Sequence, residues 1–365
     1  MDIQAAVLRE PHKPFSIEAL DLEDPGPHEV RVKIAATGLC HTDLVVRDGL
    51  MPAPYPIVVG HEGAGTVAAV GAHVTKVKPG DTVVLSYLSC GTCRCCVSGQ
   101  SSYCVNILPL NFSGQRPDGT TPLRDKTGAR VHGMFFSQSS FATYALASER
   151  NVVPVPDAPD IAQLGPLGCG LLTGAGAVFN VLKPGPGANM VVYGVGGVGL
   201  SAIMAARSLG VTNIIAVDRH SNRLEKALEL GAAHAIDAST TDVLEAVLKL
   251  TKGGADTALE TTGVPAVLRT AVDGLAMPGT VGFVGVAAPG AEVKLDMPSL
   301  MFGRRIIGIV EGDAVPDILI PHLVDLYRDG RFPIDAITTT YPLDAINQAA
   351  HDSETGKVIK PLLQP

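Results

Sequence analysis

The sequence carries no excess of positive charge: 28 Lys and Arg stand against 36 Asp and Glu, a formal net charge of −8. That balance argues against nucleic acid or an anionic membrane surface as the main partner. Nor does the chain open on a basic segment leading into an apolar run. "MDIQAAVLREPHKPF" is therefore not expected to be a secretory signal. Internal repeats and low-complexity tracts are also missing. One uncharged stretch, residues 184–206, is long enough to span a bilayer, but its glycines at 194, 196, 197 and 199 suit a turn better than a membrane helix. A cytoplasmic location without membrane attachment is expected. In that compartment clustered cysteines point to metal rather than to disulfides.

What the chain does have is length and apolar content. Its 365 residues, 46% hydrophobic and 18% charged, exceed what one core usually supports, so two domains are expected. In the first 150 residues, β-branched runs such as "EVRVKIAATG", "GAGTVAAVG" and "GDTVVLSYL" lie between turn signals and read as strands. Between about residues 106 and 140 the chain turns polar and Gly-rich, which predicts a long loop. From about residue 190 the rhythm changes. Apolar runs ("MVVYG", "NIIAVD", "ADTALETTG", "GTVGFVGV") alternate with helical stretches ("VGLSAIMAARSLG", "SNRLEKALELG", "DVLEAVLKLT"), the pattern of a doubly wound parallel α/β sheet. "DILIPHLVDLYRDG" reads as a later amphipathic helix and "GKVIKPLLQP" as a strand.

"GVGGVG" follows the apolar run "NMVVY" and opens a helix, so Gly194, Gly196 and Gly199 fit the G-x-G-x-x-G fingerprint of a dinucleotide site, with Gly197 inside it. The first glycine allows the tight turn, the second lets backbone approach a pyrophosphate, and the third lets helix and strand pack closely. The helix N-terminus then offers free N–H groups to phosphate. A Gly-rich turn used only for packing is the plainer alternative. Against it, the next apolar run ends in Asp218, nineteen residues beyond Gly199, where an acid can bind the ribose hydroxyls. Asp218 could also cap the following helix. A carboxylate there repels a 2′-phosphate, which favours NAD over NADP, although Arg219 beside it softens the repulsion.

Five of the seven cysteines fall in "CGTCRCCVSGQSSYC", residues 90–104. Cys90, Cys93, Cys96 and Cys104 have the spacing C-x2-C-x2-C-x7-C, which suits a closed tetrahedral zinc site; reduced buried thiols are the alternative. Cys95 is left over. A closed site has no place for a substrate, so chemistry is expected elsewhere. Cys40, His61 and Cys169 offer a Cys2His set, the ligands of a catalytic zinc with one position open.

In their order along the chain, "GLCHTD", "GHEGAGTVAAVGAHV", the four-cysteine stretch, "GPLGCGLLTG" and "GVGGVG" resemble the zinc-dependent medium-chain alcohol dehydrogenases over nearly the whole length. Within them, "GPLGCGLLTGAGA", "QSSFATYA" and "RRIIGIVEGD" are most similar to the bacterial aryl-alcohol (benzyl alcohol) dehydrogenases. The resemblance implies a β-rich GroES-like catalytic domain over residues 1–170 and 312–365, with a structural zinc lobe at 90–104, and a Rossmann domain over 171–311. It implies two zinc ions, NAD, a small alcohol or aldehyde substrate and a homodimer or homotetramer.

Roles follow position by position. Cys40, His61 and Cys169 would bind the catalytic zinc. Asp43 would orient a zinc-binding histidine. Glu62 would lie behind the metal, or else be a buried acid in an ion pair. Thr42 would receive the alcohol proton, or merely cap a turn. Thr173 would touch the nicotinamide, while His41 and Lys360 would meet the pyrophosphate or be surface charges. Phe141, Val286 and Val310, with Tyr87, would line an apolar substrate pocket; core packing is the alternative for Phe141 and the valines. Two departures stand out. The histidine that ends the proton relay of the animal enzymes is Val45 here, and their arginine beside the first ligand is His41. The implied reaction is reversible oxidation of primary aromatic or allylic alcohols. A thiol-adduct formaldehyde dehydrogenase, an aliphatic or terpene alcohol dehydrogenase, and a non-catalytic zinc- or NAD-binding protein remain alternatives.

Overall fold

The computed structural model describes residues 1–365 and divides the chain into two units, Met1–Gly170 with Val315–Pro365, and Leu171–Ala314. Strands dominate the first. Along Glu29–Gly38 the side chains alternate, and Val30, Val32 and Ile34 point inward against Val67, Val83, Leu85, Ala145 and Ala147. This strand is central in a sheet ordered Val152–Pro154, Thr82–Leu85, Gly63–Val70, Glu29–Gly38, Lys360–Gln364, Thr338–Pro342, with Tyr144–Ser148 also paired to it. The C-terminal strand Lys360–Gln364 runs antiparallel to Glu29–Gly38, with Leu362 opposite Gly38. That pairing brings residue 360 back to the start of the "GLCHTD" segment.

A second sheet is ordered Ile57–Val58, Asp2–Leu8, Ser16–Leu22, Leu123–Asp125, Arg130–Val131. Its last two strands correct one expectation. Residues 106–140 are not one long loop: they hold the helix Ile107–Phe112, those two short strands and a 3-10 turn at Phe135–Ser137. The polar residues that suggested a loop are the fastenings. Arg116 donates to Glu29 through Nε (2.7 Å) and Nη2 (3.0 Å) and to Glu23 through Nη1 (2.8 Å).

The second unit is a six-stranded parallel sheet ordered His234–Asp237, Asn213–Asp218, Asn189–Tyr193, Ala255–Glu260, Leu275–Phe283, Arg304–Gly308. With the first strand third in line, this is the doubly wound order that places a ligand crevice at the carboxyl end of that strand. Strands covered on both faces read as unbroken apolar runs, as Met190–Tyr193 and Ile214–Val217 do, all buried. No helix of the chain is long and apolar enough to cross a membrane.

Candidate active site and metal centres

The first cluster is assembled by three separate pieces of the first unit. Cys40 caps the short helix His41–Arg47, whose first turn holds Asp43. His61 and Glu62 immediately precede the strand Gly63–Val70, and Cys169 follows the 3-10 turn Gly165–Gly168. The ligand atoms of Cys40, His61, Glu62 and Cys169 all lie within 4.8 Å of one another. His61 and Asp43 are fully buried. Asp43 Oδ1 sits 3.0 Å from His61 Nδ1 and accepts from Gly60 N (3.0 Å), while Oδ2 accepts from Cys40 N (3.0 Å). One carboxylate thus ties the cap of the helix to the histidine.

The remaining ring nitrogen, His61 Nε2, is buried without a hydrogen-bond partner. Leaving such an atom unmatched is costly, and a metal bond is one way to satisfy it. The charges agree. A hydrogen bond with Cys169 holds the Cys40 thiol well below its usual range, against burial and with help from the imidazole. Burial opposes charge on His61, yet Asp43 and Cys40 hold it well above its ordinary value. The Cys40 thiolate and the His61 imidazolium therefore stabilise one another, and a divalent cation in place of the imidazole proton would meet the same thiolate. Two thiolates and an imidazole are also the donor set that zinc takes in catalytic sites.

Around this cluster, Thr42 Oγ1 lies 3.8 Å from Cys40 Sγ. Glu62 Oε1 accepts from Gly170 N (3.0 Å), and its other oxygen pairs with Lys360, whose Nζ also donates to Leu39 O (3.2 Å). Glu62 is thus near the sulfurs and in a buried ion pair at once. Lys360, only 5% exposed, is not a surface charge. His41 is exposed at the head of its helix. Phe141 is fully buried, edge-on to Phe15 (centroids 5.9 Å, 78°), and Tyr87 bonds Ser101 Oγ through its hydroxyl (2.7 Å). Val286 and Val310 are exposed on the second unit.

The second cluster gathers Cys90, Cys93, Cys96 and Cys104, again with sulfurs within 4.8 Å of one another. Separations of 3.5 Å (Cys93–Cys96), 3.9 Å (Cys90–Cys96) and 4.0 Å (Cys93–Cys104) bracket the ~3.8 Å expected between sulfurs held ~2.3 Å from a tetrahedral zinc. Backbone N–H groups of Thr92 and Cys93 pull the Cys90 thiol down to about 5, while burial and the neighbouring thiols push Cys96 up to about 11, the split expected when sulfurs crowd together without a cation between them. Gly91 makes the turn with φ +75°, where a Cβ would strike Arg150. Cys95 is not among the four.

In the second unit, Gly194 turns with φ +84°, and its N–H donates to Val217 O (2.8 Å). A Cβ on Gly199 would lie 2.0 Å from Gly194 O, so helix Gly197–Ser208 meets the turn only without a side chain there. Beside Gly196 the space is open; a Cβ would meet only Arg223 Nη1 at 3.9 Å. A backbone face left bare at a helix N-terminus can take a phosphate. Asp218 closes it: Oδ2 accepts from Val195 N (2.8 Å), and Oδ1 from Arg219 N (2.7 Å) and His220 N (3.0 Å). Thr173 Oγ1 lies 3.4 Å from Glu311 Oε2. Sequence reasoning missed Arg223, whose Nε is buried without a partner beside this loop. An arginine in the first turn after the acid was the available signal.

Comparisons with known proteins agree with this arrangement. The alcohol dehydrogenase GroES-like domain family matches residues 26–157 and the zinc-binding dehydrogenase family residues 197–326. Geraniol dehydrogenase of Castellaniella defragrans is 48% identical over 99% of this chain and 97% of its own. The crystal structure of an alcohol dehydrogenase zinc-binding domain protein from Burkholderia ambifaria superposes with a TM-score of 0.98 at 51% identity, covering 100% of this chain and 99% of that one. That of benzyl alcohol dehydrogenase from Acinetobacter calcoaceticus does so at 0.96 and 45%, with 100% and 99% coverage. With both domain families matched in order and such relatives aligned almost end to end, the chain belongs to the zinc-dependent medium-chain alcohol dehydrogenases.

Proposed function

We propose that this alcohol dehydrogenase oxidises primary aromatic or allylic alcohols reversibly to aldehydes, with NAD and two zinc ions per chain. Cys40, His61 and Cys169 hold one zinc, and Cys90, Cys93, Cys96 and Cys104 the other. The observation that carries this reading is the buried His61 Nε2, unpartnered among two thiols and held by Asp43 from behind. Bound there, zinc would supply Lewis acidity to an alcohol oxygen, and the nicotinamide of NAD would take the hydride. The chain's own residues do the rest. Asp43 accepts the Nδ1 proton and so keeps the Nε2 lone pair free for the metal. Thr42 Oγ1, next to Cys40 Sγ, would accept the alcohol proton; Val45 has no group to carry it further, and a bound cofactor's ribose hydroxyls would supply the way to water. Glu62 and Lys360 set the charge behind the cluster.

Gly194, Gly196, Gly197 and Gly199 would receive the pyrophosphate, and Asp218 the ribose hydroxyls. Asp218 would meet a 2′-phosphate with a repulsion of about 4 kcal/mol at ~4 Å and an effective dielectric of ~20, eased by Arg219 and Arg223. Thr173, His41 and Lys360 remain assigned to the cofactor. Phe141, Val286, Val310 and Tyr87 remain assigned to an apolar substrate lining. The relatives named for geraniol and for benzyl alcohol support that substrate class. The reading includes a cytoplasmic location and a homodimer or homotetramer; exposed Met297, Met301 and Phe302 beside the sheet-edge strand Arg304–Gly308 support the latter.

The test is reduced-nicotinamide absorbance with zinc-loaded protein and benzyl alcohol, geraniol or ethanol, each with NAD and with NADP. Benzyl alcohol and geraniol are expected to exceed ethanol in kcat/KM by about 100-fold, with NAD preferred. In Asp218→Gly the preference is expected to move toward NADP. Ethanol as the best substrate would overturn the substrate class, and an unchanged NAD/NADP ratio would overturn the role of Asp218.

A further inference from the structure

The segment 134–141, "MFFSQSSF", has a backbone that nothing in the sequence prepares for. Phe136 (φ 50°), Ser137 (φ 52°) and Ser139 (φ 50°) are all left-handed, a conformation that is costly for a residue with a side chain. Such strain persists only where surroundings impose it, and it concentrates at functional positions. The surroundings here are specific. Asn151 Nδ2 donates to Phe136 O (3.1 Å) and Ser137 O (3.3 Å). Ser139 Oγ donates to Val58 O (2.6 Å) and accepts from Phe135 N (2.9 Å), Ser140 N donates to Gly60 O (2.9 Å), and Phe141 N to Val59 O (3.1 Å). The segment is strapped along residues 58–60, directly before His61.

This backbone delivers two rings onto the His61 imidazole and one amide onto its carbonyl. The Phe136 ring stacks on the imidazole at 4.4 Å and 25°, backed by Phe112 edge-on at 5.0 Å, while Phe135 meets the imidazole edge-on at 5.6 Å. Gln138 Nε2 donates to His61 O (2.9 Å) and Ser86 O (3.2 Å), and its Oε1 accepts from Gly63 N (3.1 Å). The bond to Asp43 fixes one ring atom but leaves the imidazole free to tilt about that bond. A planar ring lying flat against its face removes that freedom.

We infer that Phe136, seated by Gln138 and the left-handed turn, is a positioning residue that sets the plane of His61 and hence the direction of its Nε2 toward the metal. The inference rests on the catalytic zinc reading. It is tested on the full-length protein loaded with cobalt(II), by the visible ligand-field bands and by the rate of metal release to a chelator. Cys169→Ser identifies which bands and which release phase belong to the Cys40–His61–Cys169 site. In Phe136→Leu those bands shift and broaden, and release from that site accelerates about tenfold, while the four-cysteine phase keeps its rate. Phe136→Tyr, still planar, restores both. Ser137→Gly, which relieves the backbone but keeps the ring, changes neither. Should Phe136→Leu not fold, Phe136→Met carries the same expectation. A wild-type spectrum and release rate in the folded Leu or Met variant, or equal acceleration at both sites, overturns the inference while leaving the metal reading intact. Wild-type protein that binds no cobalt through Cys169 overturns both.

Discussion

Glu62 and Lys360 place opposite charges together where solvent hardly reaches either, at 0% and 5% exposure. Burying such a pair adds little net stability, but removing one partner strands the other in a low dielectric at a cost of about 3–5 kcal/mol. Lys360→Met is therefore expected to lower the thermal unfolding midpoint of the zinc-loaded protein by several degrees, and adding Glu62→Gln to recover most of the loss. A single variant as stable as wild type would show that the pair is not buried in solution. The two residues lie almost 300 apart in sequence, and no spacing rule joins them; only the pairing of the last strand with Glu29–Gly38 does. Cys90, Cys93, Cys96 and Cys104 were legible for the opposite reason, since their geometry is nearly local. Phe136 and Gln138 left no such trace. Their partner is 75 residues or more away, and an aromatic face resting on an imidazole has no sequence period.

Among the elements, the turn before helix Gly197–Ser208 shows how little freedom the glycine loop allows. A Cβ at Gly199 would sit 2.0 Å from Gly194 O, far inside contact distance, and the obstacle is backbone rather than a yielding side chain. Gly199→Ala must push the helix off the turn and spoil the amide geometry at its N-terminus. NAD affinity, measured by quenching or calorimetry, is expected to fall at least about tenfold, a loss of ~1.4 kcal/mol. Undiminished affinity would mean that the loop does not contact the cofactor. The alternation of strands and helices in this unit could be read directly, because strands covered on both faces appear as apolar runs, such as Met190–Tyr193 and Ile214–Val217, that end at a glycine or an acid. Residues 106–140 could not. Strands of two or three residues, Arg130–Val131 and Leu123–Asp125, are too short to show a period of two, and the helix Ile107–Phe112 contains Pro109. What orders the region is long-range, chiefly Arg116 against Glu29 and Glu23.

For the whole molecule, both sulfur clusters fall in one unit and the glycine loop with Asp218 in the other. The sulfur ligands and the glycine loop can therefore be altered separately, one unit at a time. The most direct measurement is zinc per chain together with the rate of benzyl alcohol oxidation, in wild type and in Cys169→Ser. Two zincs are expected to fall to one, with the four-cysteine site still filled and the rate down by at least about 10³-fold, or ~4 kcal/mol of lost transition-state stabilisation. Retention of both zincs, or a wild-type rate from protein holding only one, would contradict the metal assignment.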